Sequence, residues 1–181
     1  MTPAERFRHH ADRFEALLAA VPAERWDEPS PCDGWSAGDV VRHVVDTEYD
    51  LLGRMGFDRP AIDRLDPVPA WHAVRSAMND SLAEKATHQY DAFFGPTTFG
   101  ETVDQFFSFD LVLHRWDIAR ATGLVDHETI EPAEIERIRT DAAGFGDAMR
   151  MPGIIGPELT APSDATDQER LLAWLGRDPR R

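Results

Sequence analysis

Phe109-Asp110-Leu111-Val112-Leu113-His114-Arg115-Trp116-Asp117 sets two ionisable side chains, a carboxylate and an imidazole, four positions apart in an apolar run. On a helix this spacing is about one turn, so Asp110 and His114 project side by side from one face. A carboxylate and an imidazole that point inward need polar partners, and a divalent metal ion serves both. The neighbours predicted on the same face are apolar, which indicates that it points inward: Val103, Phe107, Ile118 and Ala121.

A third candidate ligand, His43, lies in a second amphipathic segment, residues 39–45. Three nitrogen or oxygen ligands from two helices, with one coordination position left open, are typical of a reactive metal site rather than a structural one. Asp117 follows His114 by three residues and is predicted to accept a hydrogen bond from an imidazole N–H, an interaction that metal-bound histidines usually make.

Packing offers competing explanations for the same residues. A single histidine on an apolar face is often a hydrogen-bonded core residue, and the Asp–His pair is also compatible with an internal pair satisfied by Arg42 or Arg115. Asp46 and Glu48, which follow His43, are interpreted as solvated positions of their helix. Cys32 lies in a loop and has no basic neighbour in the sequence that would activate its thiol, so it is a weak candidate nucleophile.

Length and composition limit the possible functions. The chain has 181 residues, which predicts one domain over 1–181, and its net charge of −14 argues against nucleic acid or anionic membrane partners. Cys32 is the only cysteine, which excludes an intrachain disulfide and a site built from several cysteines. No apolar run approaches the length of a membrane span and the first residues do not resemble a signal peptide, so a cytoplasmic location is expected.

Apolar periodicity predicts helices throughout the chain. Capping residues predict that the first helix begins after Thr2 and the second after Ser36, while Gly123 is a natural end for the fourth. The segment 93–100 is predicted to be a loop or a short extended piece. Together these features predict an all-α fold built around a four-helix bundle, with additional C-terminal helices. The predicted helices span about 3–21, 37–55, 70–90, 101–122, 132–149 and 167–175.

Three segments resemble motifs of one protein family, in the order in which that family carries them. They are residues 30–36 leading into 40–46 on the second helix, residues 113–123 on the fourth, and residues 170–179 at the tail. The first two resemble the DinB-like proteins, and most closely the group that shares the N-terminal domain of mycothiol-dependent maleylpyruvate isomerase. The tail resembles the short actinobacterial metal-binding members of that group.

The resemblance implies a DinB-type four-helix bundle that binds a divalent metal, usually zinc or nickel. The family's ligands are a histidine on the second helix and, on a later helix, a carboxylate or histidine followed four residues later by a histidine. On this chain those positions are His43, Asp110 and His114. The carboxylate is aspartate here, whereas the isomerase has glutamate, and the shorter side chain of Asp110 would shift the metal or favour monodentate binding.

The function suggested first is a metal-dependent S-transferase or isomerase that uses mycothiol or a related low-molecular-weight thiol. Its partners would be that thiol and an electrophilic small molecule. A metal-dependent hydrolase uses the same ligands, and a non-catalytic metal-binding or stress-associated protein, possibly a homodimer, is a third hypothesis. An open cleft beside the metal favours the transferase, whereas a metal enclosed by Trp116 and Phe107 favours a structural role.

Overall fold

The computed structural model describes residues 1–150 and 154–180 and divides the chain into two compact units. The first unit is Met1–Glu128 and the second is Thr129–Arg181. Both are mainly helical, as predicted, but the first also contains a two-stranded sheet that the all-α prediction did not include. The prediction of one domain over 1–181 stays a prediction, and each unit is described by itself.

The helices of the first unit begin and end at local sequence signals. Thr2 and Ser36 each form a capping box, in which the side chain accepts from the backbone N–H three residues on and a carboxylate there accepts in return. Gly123 ends the last helix with φ of 75°, a left-handed conformation that favours glycine. The helices are α1 (Pro3–Ala20), α2 (Ala37–Arg54), α3 (Pro67–Lys85), α4 (Phe99–Thr102) and α5 (Ser108–Thr122).

The prediction for the third helix was wrong at its C-terminal end. The helix stops at Lys85, and the last two residues predicted to continue it, Gln89 and Tyr90, lie in the first strand of an antiparallel hairpin. The hairpin consists of β1 (Gln89–Ala92) and β2 (Gly95–Thr98). Gly95 has φ of 107°, which permits the tight turn between the strands. The extended piece predicted within 93–100 is therefore one strand of this hairpin.

The long helices of the first unit enclose an apolar core. Helices α1 and α2 each contact both α3 and α5, so every one of the four has two neighbours. The predicted DinB-like four-helix bundle is compatible with these contacts and stays a prediction. The largest fully buried side chains of this core include Phe7, Phe14, Trp71, Phe99 and Leu111.

A turn of π-helix, Val103–Phe107, lies directly between α4 and α5. Its wider turn is closed by a hydrogen bond from the backbone N–H of Ser108 to the carbonyl of Val103. A π turn accommodates one extra residue, so it changes the direction in which the following side chains point, and such turns are frequent at functional sites. Asp110 lies in the first turn of the helix that follows it.

The second unit contains α6 (Pro132–Phe145) and α7 (Asp167–Trp174), which pack on each other. The fifth helix was predicted to reach residue 149, but α6 ends at Phe145. It is followed by Gly146, whose φ is 53° and which begins a short 3-10 turn. Across the described residues of the chain, no helix has both the length and the apolar composition needed to cross a bilayer.

Candidate metal centre

The structure brings His43, Asp110 and His114 together. Their ligand atoms, one from each residue, all lie within 4.8 Å of one another. Nε2 of His114 is 3.2 Å from Oδ1 of Asp110, and Nε2 of His43 is 3.8 Å from Oδ2 of the same carboxylate. The two imidazole rings are 5.0 Å apart at an angle of 78°, with Asp110 next to both.

Two local features of the sequence place these side chains. The capping box at Ser36 determines where α2 begins and therefore the face on which His43 lies. On α5, Asp110 and His114 are four residues apart and share one face, and the π turn just before them sets the direction of the first helical turn. The cluster therefore forms where α2 packs against α5.

The three residues fit a divalent metal ion in chemistry and in spacing. Two imidazoles and one carboxylate are ligands that zinc and nickel accept. Metal–ligand bonds of about 2.0–2.2 Å in tetrahedral geometry put neighbouring ligand atoms about 3.3–3.6 Å apart. The histidines lie 3.2 and 3.8 Å from the two different oxygens of the Asp110 carboxylate, and one ligand atom from each of the three residues lies within 4.8 Å of the others. Metal ligation by these residues stays a prediction.

Asp117 lies on the other side of the His114 ring. Its Oδ2 atom is 3.0 Å from Nδ1 of His114, and the aspartate is fully buried. Burial by itself lowers the pKa of His114, but Asp110 and then Asp117 outweigh it and raise the pKa well above its ordinary value. Asp117 thus lies where it would accept a hydrogen bond from the Nδ1–H group of His114, the role that the sequence predicts for it. This hydrogen bond would keep Nε2 directed toward Asp110.

One side of the cluster reaches solvent. The side chains of His43 and Asp110 are 30% and 25% exposed, whereas that of His114 is 6% exposed. The Trp35 ring lies 4.8 Å from the His43 ring and is itself half-buried. Trp116, one of the two residues that would enclose a structural metal, is fully buried in the core. An ion held by His43 and Asp110 would therefore be reachable from solvent on that side.

Cys32 also belongs to this region, which its position in the sequence did not reveal. Its Sγ atom lies 3.2 Å from Oδ2 of Asp117, 85 residues further along the chain. Cys32, Asp117 and His114 form a second group whose ligand atoms lie within 4.8 Å of one another. Only the packing of the loop before α2 against α5 creates this contact, so the sequence carries no local signal for it.

Glu48 was wrongly interpreted as a solvated position. It lies on the buried face of α2, is 1% exposed, and its Oε2 atom has no hydrogen-bond partner among the described residues. Burial, and then the negative charge of Asp110, raise the pKa of Glu48 well above its ordinary value. A carboxyl group is therefore buried near the candidate metal ligands without being one of the three.

The arginines considered as partners for the Asp–His pair make other contacts. Arg42 forms an ion pair with Asp39 on the first turn of α2. Arg115 is buried and donates a hydrogen bond to the backbone carbonyl of His127. The described contacts of these two arginines therefore add no support to the explanation of the pair as an internal contact neutralised by arginine.

A cavity of about 810 Å³ lies within the second unit. Its lining includes Arg139, Arg170 and Trp174, and none of the described lining residues is a histidine or a cysteine. This cavity therefore offers no set of metal ligands among its described lining residues. The candidate centre is the side-chain cluster of the first unit.

Comparison with known proteins agrees with the resemblance that the motifs suggested. The family described as mycothiol maleylpyruvate isomerase N-terminal domain matches residues 7–95, a range that includes His43 but ends before Asp110. The uncharacterized proteins Rv0738 and MT0763, from the H37Rv and CDC 1551 strains of Mycobacterium tuberculosis, are 31% identical over 99% of this chain and 100% of their own length. The uncharacterized protein Rv0036c of the H37Rv strain is 26% identical over 87% of this chain and 68% of its own. No solved structure matches the chain significantly.

Proposed function

The chain belongs to the family of the mycothiol maleylpyruvate isomerase N-terminal domain, and from this premise we propose that it is a metal-dependent enzyme acting on a low-molecular-weight thiol. The proposed metal ligands are His43, Asp110 and His114, with zinc or nickel as the ion. The observation that carries this proposal is the convergence of ligand atoms from α2 and α5 to within 4.8 Å. The same packing supports a DinB-like four-helix bundle of α1, α2, α3 and α5.

The charges of the ligand set favour an anionic thiolate as the fourth partner. One carboxylate and two neutral imidazoles leave a dication with one uncompensated positive charge. A bound ion of this kind stabilises a thiolate at neutral pH, as it does a hydroxide. The partial exposure of His43 and Asp110 supports access for such a ligand and favours an exchangeable site over an enclosed structural one.

The remaining residues of the cluster would act on the histidines. Asp117 would hold the Nδ1 proton of His114 and so keep Nε2 directed at Asp110. Trp35 would limit the movement of the His43 ring by packing beside it. The proposed reactions are transfer of the thiol sulfur to an electrophilic carbon, or isomerisation of a double bond by reversible thiol addition. The proposed substrates are mycothiol and a small electrophile.

Metal binding is tested first. The wild-type protein and the variants His43→Ala and Asp110→Ala are stripped with a chelator and titrated with zinc by calorimetry, with elemental analysis of the reloaded protein. We expect one zinc per wild-type chain and affinity lower by at least about 100-fold in both variants. His72→Ala, which removes an exposed histidine of α3, is the matched control and should bind like the wild type. Equal metal content in all four proteins would exclude this ligand set.

Activity is tested with mycothiol and the electrophile monochlorobimane, whose conjugate is fluorescent. We expect conjugation that requires both zinc and His43, and a rate equal to the uncatalysed reaction in His43→Ala. If zinc binds as proposed but no member of a wide electrophile panel is turned over, the metal site stands and the transferase assignment is wrong.

A further inference from the structure

We propose that Cys32, Asp117 and the Nδ1 atom of His114 form a second cation site, selective for thiophilic ions, on the opposite side of the His114 ring. The three ligand atoms lie within 4.8 Å of one another, with Sγ of Cys32 at 3.2 Å and Nδ1 of His114 at 3.0 Å from Oδ2 of Asp117. Thiolate, imidazole and carboxylate are all zinc ligands, and the sulfur shifts preference toward soft ions such as cadmium.

The loop before α2 holds Cys32 in position without a cation. The backbone N–H of Cys32 donates to the hydroxyl of Ser30, and its carbonyl accepts from the N–H of Trp35. The N–H of Ser30 in turn donates to the carbonyl of Trp35, which closes the loop. The Sγ atom of Cys32 is therefore positioned beside α5 before an ion binds. Binding would then cost little conformational entropy in the loop.

Charge and burial both suit a dication at this position. A thiolate and a carboxylate with a neutral imidazole balance two positive charges. Asp117 is fully buried and His114 is 5% exposed, while Cys32 is half-buried. Hydrogen bonds now join Cys32 and His114 to the Asp117 carboxylate. A bound cation would replace the thiol proton and the Nδ1 proton.

The two sites share His114 and therefore compete. A neutral imidazole has one unprotonated nitrogen, so an ion bound at Nε2 leaves the Nδ1 proton for Asp117, and an ion bound at Nδ1 leaves the Nε2 proton for Asp110. Each chain would hold one ion at a time. A borderline ion would bind with His43 and Asp110, whereas a thiophilic ion would bind with Cys32 and Asp117.

The experiment is a cadmium titration of the full chain, followed by the near-ultraviolet charge-transfer absorption of a cadmium-bound thiolate. We expect the wild type and His43→Ala to develop this band with one thiolate per chain, because His43 belongs only to the first site. Cys32→Ser should show no band, and Asp117→Asn should bind cadmium at least about tenfold more weakly. Cadmium NMR of the unmodified protein should report one sulfur ligand together with nitrogen and oxygen ligands.

Two results would overturn the proposal. The first is the absence of a thiolate band or of a sulfur ligand in the wild type. The second is cadmium binding, followed by the thiolate band, with the same affinity as the wild type in both Asp117→Asn and His114→Ala. That result would show that the thiol binds cadmium by itself. Zinc binding by Cys32→Ser tests the first site separately, since that variant keeps His43, Asp110 and His114, so failure of one site is distinguishable from failure of the other.

Discussion

Two regions of the first unit bury ionisable groups, and they differ in how those groups are compensated. Around His114, two carboxylates lie 3.0 and 3.2 Å from the ring nitrogens. Around Glu48, on the buried face of α2, one carboxyl oxygen has no hydrogen-bond partner among the described residues. Both pKa values are raised, which favours the charged form of His114 and the neutral form of Glu48.

The two regions differ in whether opposite charges compensate the buried group. Burial of a charge is tolerated where opposite charges surround it, and such a cluster can exchange its proton for a metal ion. Burial of an uncompensated carboxyl group lowers the free energy of unfolding. The region around His114 is therefore suited to binding, whereas at Glu48 we expect burial of the carboxyl group to reduce stability.

The largest expected effect is that of His114→Ala. The substitution removes the group shared by Asp110 and Asp117 and leaves the fully buried carboxylate of Asp117 without its imidazole partner. We expect the free energy of unfolding to fall by about 3–5 kcal/mol and zinc affinity to fall by at least about 100-fold. Urea unfolding and calorimetry measure the two effects. An unfolding free energy equal to that of His72→Ala would contradict the compensated arrangement described for this region.

Asp117→Asn should have the next largest effect. Asparagine keeps the shape of the side chain but loses the charge that holds the Nδ1 proton of His114, so we expect zinc affinity to fall by about 10- to 100-fold. Asp126→Asn, at an exposed position after α5, is the matched control and should leave zinc affinity unchanged. If both variants bind zinc equally well, Asp117 does not position the imidazole.

The pH dependence of zinc binding tests the same region without a substitution. Because the folded-state pKa of His114 lies well above its ordinary 6.5, zinc must displace a proton from the ring at neutral pH. We expect apparent zinc affinity to rise about tenfold per pH unit until the folded pKa is passed. Calorimetry in two buffers of different ionisation enthalpy should show one proton released from the ring for each zinc bound.

The stability of the metal-stripped protein should change with pH in the opposite direction. A raised folded-state pKa means that the folded protein binds the His114 proton more tightly than the unfolded chain does. The resulting stabilisation is complete below pH 6.5 and is lost as pH rises through the folded pKa. Zinc affinity that did not vary with pH would show that His114 is neutral before the ion binds.

The smallest expected effect is that of Glu48→Met. Replacing the buried carboxyl by an apolar side chain of similar length should raise the free energy of unfolding by about 1 kcal/mol at neutral pH. The folded-state pKa of Glu48 is raised above 4.5, so its destabilising effect grows as pH rises from 4.5 to the folded pKa. Unfolding curves at several pH values should show that the difference in unfolding free energy between Glu48→Met and the wild type increases across that pH range.

The control for this prediction is Glu84→Met, at an exposed position of α3. It should change the unfolding free energy by less than about 0.5 kcal/mol at every pH. A loss of stability in Glu48→Met would mean that the carboxyl group is compensated after all, and the contrast between the two regions would then fail.

Several parts of the site were predictable because their causes are local. The capping boxes at Thr2 and Ser36, and the left-handed Gly123, are interactions within four residues of the chain, and they determine where α1, α2 and α5 begin or end. The Asp110–His114 spacing and the position of Asp117 three residues later follow from the helical repeat. These features placed two candidate ligands and their neighbour on one face of α5.

Other parts were not predictable because they depend on contacts between distant segments. The local sequence carries no signal for the π turn before α5, and the first half of β1 was predicted as helix although β2 falls in the extended piece predicted within 93–100. Glu48 looked like a surface residue because the polarity of a side chain says little about the face on which tertiary packing will place it.

The helical character of the chain, the starts of α1 and α2, the end of α5 and the pairing of Asp110 with His114 could be read from the sequence, because hydrogen bonds and side-chain spacing within a few residues specify them. Only the tertiary structure decided that His43 lies beside that pair, that Cys32 reaches Asp117 across 85 residues, and that Glu48 is buried. The physical reason is that these contacts depend on how α2 and the loop before it pack against α5, and that packing is a property of the whole core rather than of any one segment.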